Sequence, residues 1–181
     1  MLNVTFLDIF SLLKHMTSKN LNFIKLYDQY SDSIYRFIYF RVHNKDNAWD
    51  ITQECFLRTL EYINTPQNKI NNKRALIYQI ARNLIADFWR AQEKQSSQDI
   101  YEIQDELHID TNIEENLDTK MELEELMKYI NSLKDHNRDL LLLRYVDGLS
   151  FSEIAEILEK NQIALRVQAS RLVKNLRLKL K

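Results

Sequence analysis

One glycine and one proline in 181 residues constrain this chain more than any other feature. Tight hairpins need residues that tolerate a left-handed backbone or pre-set a turn. Gly148 and Pro66 alone cannot supply them for a hairpin-built sheet. Leu, Ile, Glu, Lys, Asn and Gln dominate the rest, so an all-α fold is expected. A phosphate-cradling glycine loop is excluded on the same ground.

The single cysteine, Cys55, excludes an internal disulfide and a cysteine zinc cluster, and fits a reducing cytoplasm. His15, His43, His108 and His136 are scattered, with no pair at metal-ligand spacing on one helix, so no metal is expected. No nucleophile with a partnered base stands out. The expectation is a protein with no catalytic residues and no cofactor. The first residues, "MLNVTFLDIFSLLKHM", are apolar but lack a basic leader and a cleavage site, and are too short to span a bilayer. They read as a short amphipathic helix or a disordered extension, with no membrane partner.

Apolar periodicity divides the chain. Phe23, Leu26, Tyr30, Ile34, Phe37 and Ile38 recur at helical spacing in a first helix over 20–42. Asp46 or Asn47 is the expected cap of a second, "NAWDITQECFLRTLEYI". There Trp49, Phe56, Leu60 and Ile63 share one face, and Asp50, Glu54, Arg58 and Glu61 the opposite one. "NTPQNKINN" reads as a loop. A third helix, "KRALIYQIARNLIADFWRAQEK", carries a buried stripe of Ile77, Ile80, Ala81, Leu84 and Phe88. Three such helices close a small core over about 20–94, after an extension over 1–19.

An acidic linker over 95–120 follows, and periodicity resumes over 121–181. "MELEELMKYINSL" is one helix, and "HNRDLLLLRYVDG" is the next, with Gly148 as a left-handed end. "FSEIAEIL" is a short helix, capped by Ser150 or Ser152 with Glu153 placed as in a capping box. Ile154, Ala155 and Leu158 pack inward from it. The turn is "EKNQ", with Asn161 the expected cap of the last helix.

Net charge is −1 but unevenly spread. Eleven acids and one base, Lys120, lie between Asp99 and Glu125; six bases and no acid lie between Asn161 and Lys181. This fits an acidic linker with a basic binding tail, and equally two solvated helix faces. The last helix narrows the choice. Leu165, Ala169, Leu172 and Leu176 form an apolar stripe, while Arg166, Ser170, Lys174 and Arg177 line up elsewhere, flanked by Arg171. A short helix, a turn and a longer basic helix form a helix-turn-helix pattern. An acid on that basic face would repel phosphate. Val167 and Ile163 beside it are suited to thymine methyls.

Three segments in order, "AWDITQECFLRTLEYI", "KRALIYQIARNLIADFWR" and "RDLLLLRYVDGLSFSEIAEIL", resemble the sigma-70 family of bacterial sigma factors, in its small two-domain extracytoplasmic-function group. The resemblance spans about Asn22 to Leu180. It implies two helical domains, the second a helix-turn-helix, that bring core RNA polymerase to promoter DNA and help melt it. The family's D-x-x-Q-E-x-F segment matches Asp50, Gln53, Glu54 and Phe56, which places polymerase binding, on the β′ clamp helices, at Asp50, Gln53 and Glu54. The β flap is the other implied polymerase contact. The R-I-A-R-N-x-x-x-D segment matches Gln79, Ile80, Ala81, Arg82, Asn83 and Asp87. Minus-ten recognition is thereby implied for Gln79, Arg82, Asn83 and Arg90, opposite the buried stripe. The loop with Asn68, Asn71 and Asn72 is implied to capture a flipped base, which amide side chains suit. Arg166, Ser170, Arg171, Lys174 and Arg177 are implied to read the minus-thirty-five duplex. An anti-sigma factor that clamps the two domains is a further implied partner.

The chain departs from the family pattern at Leu76, where many members carry Trp, and at "EKN", where "G-I-S" is usual. The acid-rich linker is expected to follow the polymerase's basic RNA exit channel, or to cover the basic domains of the free protein. Two other readings stand beside this one. A free-standing helix-turn-helix regulator predicts dimers on palindromic duplex. A helical interaction protein predicts an acidic partner and no effect of nucleic acid.

Overall fold

The computed structural model describes residues 18–68, 70–96 and 117–179. The amino-terminal extension before residue 18 and most of the acidic linker, with the two roles expected of it, lie outside the described residues. Among the described residues every regular element is helical.

Helices α1 (Ser18–Val42), α2 (Lys45–Asn64) and α3 (Lys73–Ser96) pack as a three-helix unit. The expected stripe of α1 is buried at Phe23, Leu26, Ile34, Phe37 and Ile38, with Tyr30 partly covered. The chain reverses at His43, whose positive φ of 56° ends α1 and whose N–H donates to the Tyr39 carbonyl. The cap of α2 is Asn44, not Asp46 or Asn47: its Oδ1 accepts the Asn47 N–H at 2.9 Å. The reversal consumes only two residues, so the helix begins earlier than the apolar pattern does. The buried face of α2 also differs from expectation. It is centred on Ala48, Thr52, Cys55, Phe56 and Thr59, and Trp49 is 48% exposed. Thr52 and Thr59 are buried with their hydroxyls satisfied, each donating to the carbonyl four residues back, at 2.7 Å.

The second unit holds α4 (Leu117–Ser132), α5 (Asp135–Leu141), α6 (Phe151–Leu158) and α7 (Gln162–Lys179). Helix α5 runs into a π-helical turn at Leu142–Val146. Gly148, at φ 68°, then lets the Leu149 N–H return to the Leu143 carbonyl at 2.9 Å. Ser150 caps α6, and the capping box with Glu153 is complete. Ile154, Ile157 and Leu158 are buried from α6, with Ala155 partly so.

The two units are not separate bodies on a string. Helix α3 packs on α6, and one apolar core runs from Phe23 in α1 to Leu172 in α7. Tyr78 of α3 is fully buried where the units meet, edge-on to Phe37 at 5.4 Å.

Candidate nucleic-acid and polymerase interfaces

Three surfaces carry the residues singled out from sequence. The first is the outer face of α7. Asn161 caps this helix by accepting the Ile163 and Ala164 N–H groups at 2.8 and 3.2 Å. The preceding turn is made by Glu159 at φ 53°, a left-handed residue that ends α6. This is where glycine would ordinarily sit, so the turn closes without the usual glycine. Leu165, Ala169 and Leu172 fix the inner side of α7 in the core. Arg166, Ser170, Lys174 and Arg177 then line an open groove of about 550 Å³ with Tyr145, Phe151, Ala169 and Val173. The Arg166 guanidinium lies over the Phe151 ring at 5.7 Å, and Arg144 lies over the same ring at 4.8 Å. Arg171 is exposed beside them, as are Ile163 and Val167. A capped, rigid helix thus presents cations and small apolar groups together, the combination that suits duplex phosphates and base edges.

The second surface is the solvent face of α2. Asp50 is exposed, Gln53 and Glu54 are partly so, and Glu54 accepts the Arg58 Nε at 2.7 Å. Trp49 and Leu57, both exposed, share this face. Trp49 is held by the edge of Tyr35 at 6.1 Å. Acids and exposed apolar groups are thus interleaved on one face of α2.

The third surface is the polar side of α3 with the loop before it. Asn72 caps α3, accepting the Ala75 N–H at 3.1 Å. Asn71, Asn72 and Gln79 come together in a groove of about 390 Å³ with Tyr62, Ile70, Ala75, Leu76 and Glu156. Leu76, the departure from the family's Trp, is one wall of it. Asn68 does not join them; its amide donates to the Tyr62 carbonyl at 3.0 Å and closes the loop. Arg90 lies eleven residues beyond Gln79, roughly 16 Å along the helix, paired with Asp87 at 2.6 Å. Asn83 is exposed.

Gln79 and Arg82, on the side of α3 opposite its buried stripe, are partly covered by the second unit. Gln79 Nε2 donates to the Glu156 carbonyl at 2.9 Å. Arg82 Nε donates to Asp139 Oδ2 at 2.9 Å, and its Nη1 to the Ile157 carbonyl at 3.1 Å. The reason is the docking of α6 on α3, which no local pattern encodes. Three residues that sequence reasoning passed over complete this junction. Arg74 bridges Glu153 Oε1 at 3.1 Å and the Asp147 carbonyl at 3.0 Å. Arg41, buried, reaches Asp135 at 3.0 Å and Asp139 at 3.5 Å. Asp147, with its side chain 1% exposed, faces Arg36 at 3.8 Å. Burial pushes the Asp147 carboxyl up to about 6, with Tyr78, Arg36 and Arg74 offsetting only part of that shift. Burial also raises Glu153, but hydrogen bonds from Ser150 and the Arg74 charge outweigh it and hold Glu153 below its ordinary value. Among the described residues no group of His, Cys, Asp and Glu is arranged to hold a metal ion, and no helix is long and apolar enough to cross a membrane.

Sequence comparison places both units. The description Sigma-70 region 2 matches residues 26–95, and Sigma-70, region 4 matches residues 123–176. The ECF RNA polymerase sigma factor SigW of Bacillus subtilis is 32% identical over 145 residues, covering 75% of this chain and 76% of that protein. The chain belongs to the sigma-70 family, in its extracytoplasmic-function group. The ECF sigma factor BldN of Streptomyces coelicolor is 33% identical over 154 residues, which is 85% of this chain but only 58% of BldN's length. The fold is also that of the sigma factor RpoE of Bartonella quintana, solved in complex with the anti-sigma factor NepR. It matches with a TM-score of 0.70 and 19% identity over 88% of this chain and 96% of that one. CnrH, solved with the cytosolic domain of CnrY, matches with a TM-score of 0.62 and 15% identity, over 94% and 93%. In this sigma factor, α1 to α3 are region 2, and α5 to α7 fall within the match to region 4.

Proposed function

We propose that this sigma factor binds bacterial core RNA polymerase, carries it to promoters and helps open them. The face of α2 with Asp50, Gln53 and Glu54 docks on the β′ clamp helices, and the region 4 unit meets the β flap. The loop and α3 face, with Asn68, Asn71, Asn72, Gln79, Arg82, Asn83 and Arg90, takes the minus-ten strand. The α7 face, with Arg166, Ser170, Arg171, Lys174 and Arg177, takes the minus-thirty-five duplex. The proposed domain limits are 20–94 and 121–181, joined by the linker. The work is that of a non-catalytic factor in the cytoplasm: binding energy offsets base unpairing, and the polymerase makes the bonds. Two linked helical units also suit an anti-sigma factor as a clamp.

The observation that carries this reading is the acid-free groove of α7, behind a capped helix-turn-helix, in a chain that also holds region 2. A free-standing regulator would leave the exposed Trp49 and Asp50 face without a role. The test is promoter-directed initiation by holoenzyme carrying single substitutions. Arg166→Ala and Lys174→Ala should each weaken promoter affinity about tenfold or more, as ~1–3 kcal/mol per contact implies. Glu54→Lys should weaken core binding instead. Asn71→Ala should slow the appearance of permanganate-reactive thymines without changing core affinity. Initiation unaffected by changes on the α7 face would reject the assignment.

A further inference from the structure

The cations of α7 have a task on phosphates, but two other side chains of its outer face do not. Ile163 is 72% exposed, more than any other large apolar side chain among the described residues, and Val167 is 47% exposed. At ~100° per residue both lie opposite the buried stripe of Leu165, Ala169 and Leu172, one turn apart. A single exposed aliphatic needs no explanation, but two on successive turns of one outer stripe form a patch. Helix propensity does not account for them either. β-branched residues lose side-chain freedom in a helix, and an exposed helical site favours Ala, Lys, Glu or Gln.

The polar side chains of the first two turns are engaged or stand to the side. The Asn161 amide oxygen accepts the Ile163 and Ala164 N–H groups. Gln162 is partly covered, and the Gln168 amide donates to Asn137 Oδ1, which joins α7 to α5. The Arg166 guanidinium lies over Phe151 on one flank of the outer stripe, and Arg171 is exposed on the other. The start of α7 is therefore aliphatic at its centre and cationic at its sides.

A helix of about 10–12 Å diameter fills a major groove of about 12 Å. Its flanks then face the phosphate walls and its centre the base edges, which the amino-terminal turns reach. Among the groups displayed on those edges, the thymine C5-methyl is the apolar one. We propose that Ile163 and Val167 are specificity-determining residues of this sigma factor that read thymine methyls in the upstream duplex, while Arg166 and Arg171 fix the register on the phosphates. This rests on the minus-thirty-five reading of α7.

The side chains suit the task. A β-branched residue holds one dominant rotamer in a helix, so it meets a methyl group with little further loss of freedom. Burying one methyl against it gives about a fourfold preference for thymine over uracil, which lacks only that group.

The test uses holoenzyme assembled from bacterial core polymerase and the full chain. It selects duplexes from a randomised library, and the enriched duplex is remade with deoxyuridine at one thymine position at a time. Binding is read by competition at fixed salt. At two or more positions, loss of the methyl should weaken binding by the original holoenzyme about fourfold. Holoenzyme with the double variant Ile163→Ser, Val167→Ser should bind the thymine and uracil forms at those positions equally. The ratio isolates the methyl, since a merely loosened helix would weaken both forms alike. Val167→Thr keeps the branched shape with a hydroxyl in place of one methyl, and should lose the preference at one position and keep it at the other. If no thymine methyl matters, or every methyl that matters does so equally for the double variant, the inference is overturned. The minus-thirty-five reading then stands if Arg166→Ala and Lys174→Ala still weaken binding. If they change nothing, or no duplex is enriched, both are overturned.

Discussion

Asp147→Asn should stabilise this protein at neutral pH, and the size of the gain follows from the position of the carboxyl. The side chain is 1% exposed, and neither oxygen accepts a well-formed hydrogen bond. Tyr78, Arg36 and Arg74 stand near enough to favour the charged form, but desolvation outweighs them and pushes the group from 3.8 to about 6. A group raised in the folded state contributes stability that is full below its unfolded value and is lost as pH rises through the folded value. At pH 7 the native chain therefore carries a buried charge costing about 3 kcal/mol relative to the neutral group. Asparagine mimics the neutral carboxyl. Urea titrations should give the variant up to about 3 kcal/mol more stability at pH 7, about 1.5 kcal/mol more at pH 5, and no advantage near pH 3.5. The difference between the two proteins is the readout, because it cancels every other titrating group. A gap that does not narrow with falling pH, or a variant less stable at pH 7, would refute the claim that burial dominates at Asp147.

Three further outcomes are expected. Asp139→Ala leaves Arg41 buried with only the exposed Asp135 as partner, and should cost about 3–5 kcal/mol by urea titration. Glu159→Gly removes a left-handed non-glycine residue, and should raise stability by about 1 kcal/mol, after the entropy of glycine is counted. The Cys55 thiol is buried and pushed up to about 12 by desolvation, so a thiol reagent at pH 8 should react slowly with the native chain and quickly in urea.

The elements read well from sequence where the cause is local. Helix α6 matches "FSEIAEIL" residue for residue, and Ser150, Glu153 and Asn161 cap as their side chains dictate. The stripes of α1 and α7 follow because apolar residues at helical spacing have one place to go. What failed depends on distant chain. Trp49 was placed with Phe56 by periodicity, but the contact face of α2 is set by where α1 and α3 lie, and it selects Ala48, Thr52 and Thr59. The partners of Gln79 and Arg82 lie on α6, some 75 residues on, and nothing near either residue announces them. The one faint signal was Asp139, an acid directly before "LLLL", where burial needs a paired cation. The α7 groove was legible almost whole, because all its basic residues lie on one helix. The α3 groove was half legible, since Glu156 reaches it only through tertiary packing.

Whether this chain works as a sigma factor is decided by reconstitution with polymerase. Purified protein is mixed with bacterial core RNA polymerase, resolved on a sizing column, and the eluted complex is supplied with genomic promoter fragments and nucleotides. A stable complex should elute and start transcripts at defined positions, where core enzyme alone does not. Duplex DNA binding by the free protein with no polymerase complex would contradict it, and would return the chain to the class of free-standing regulators.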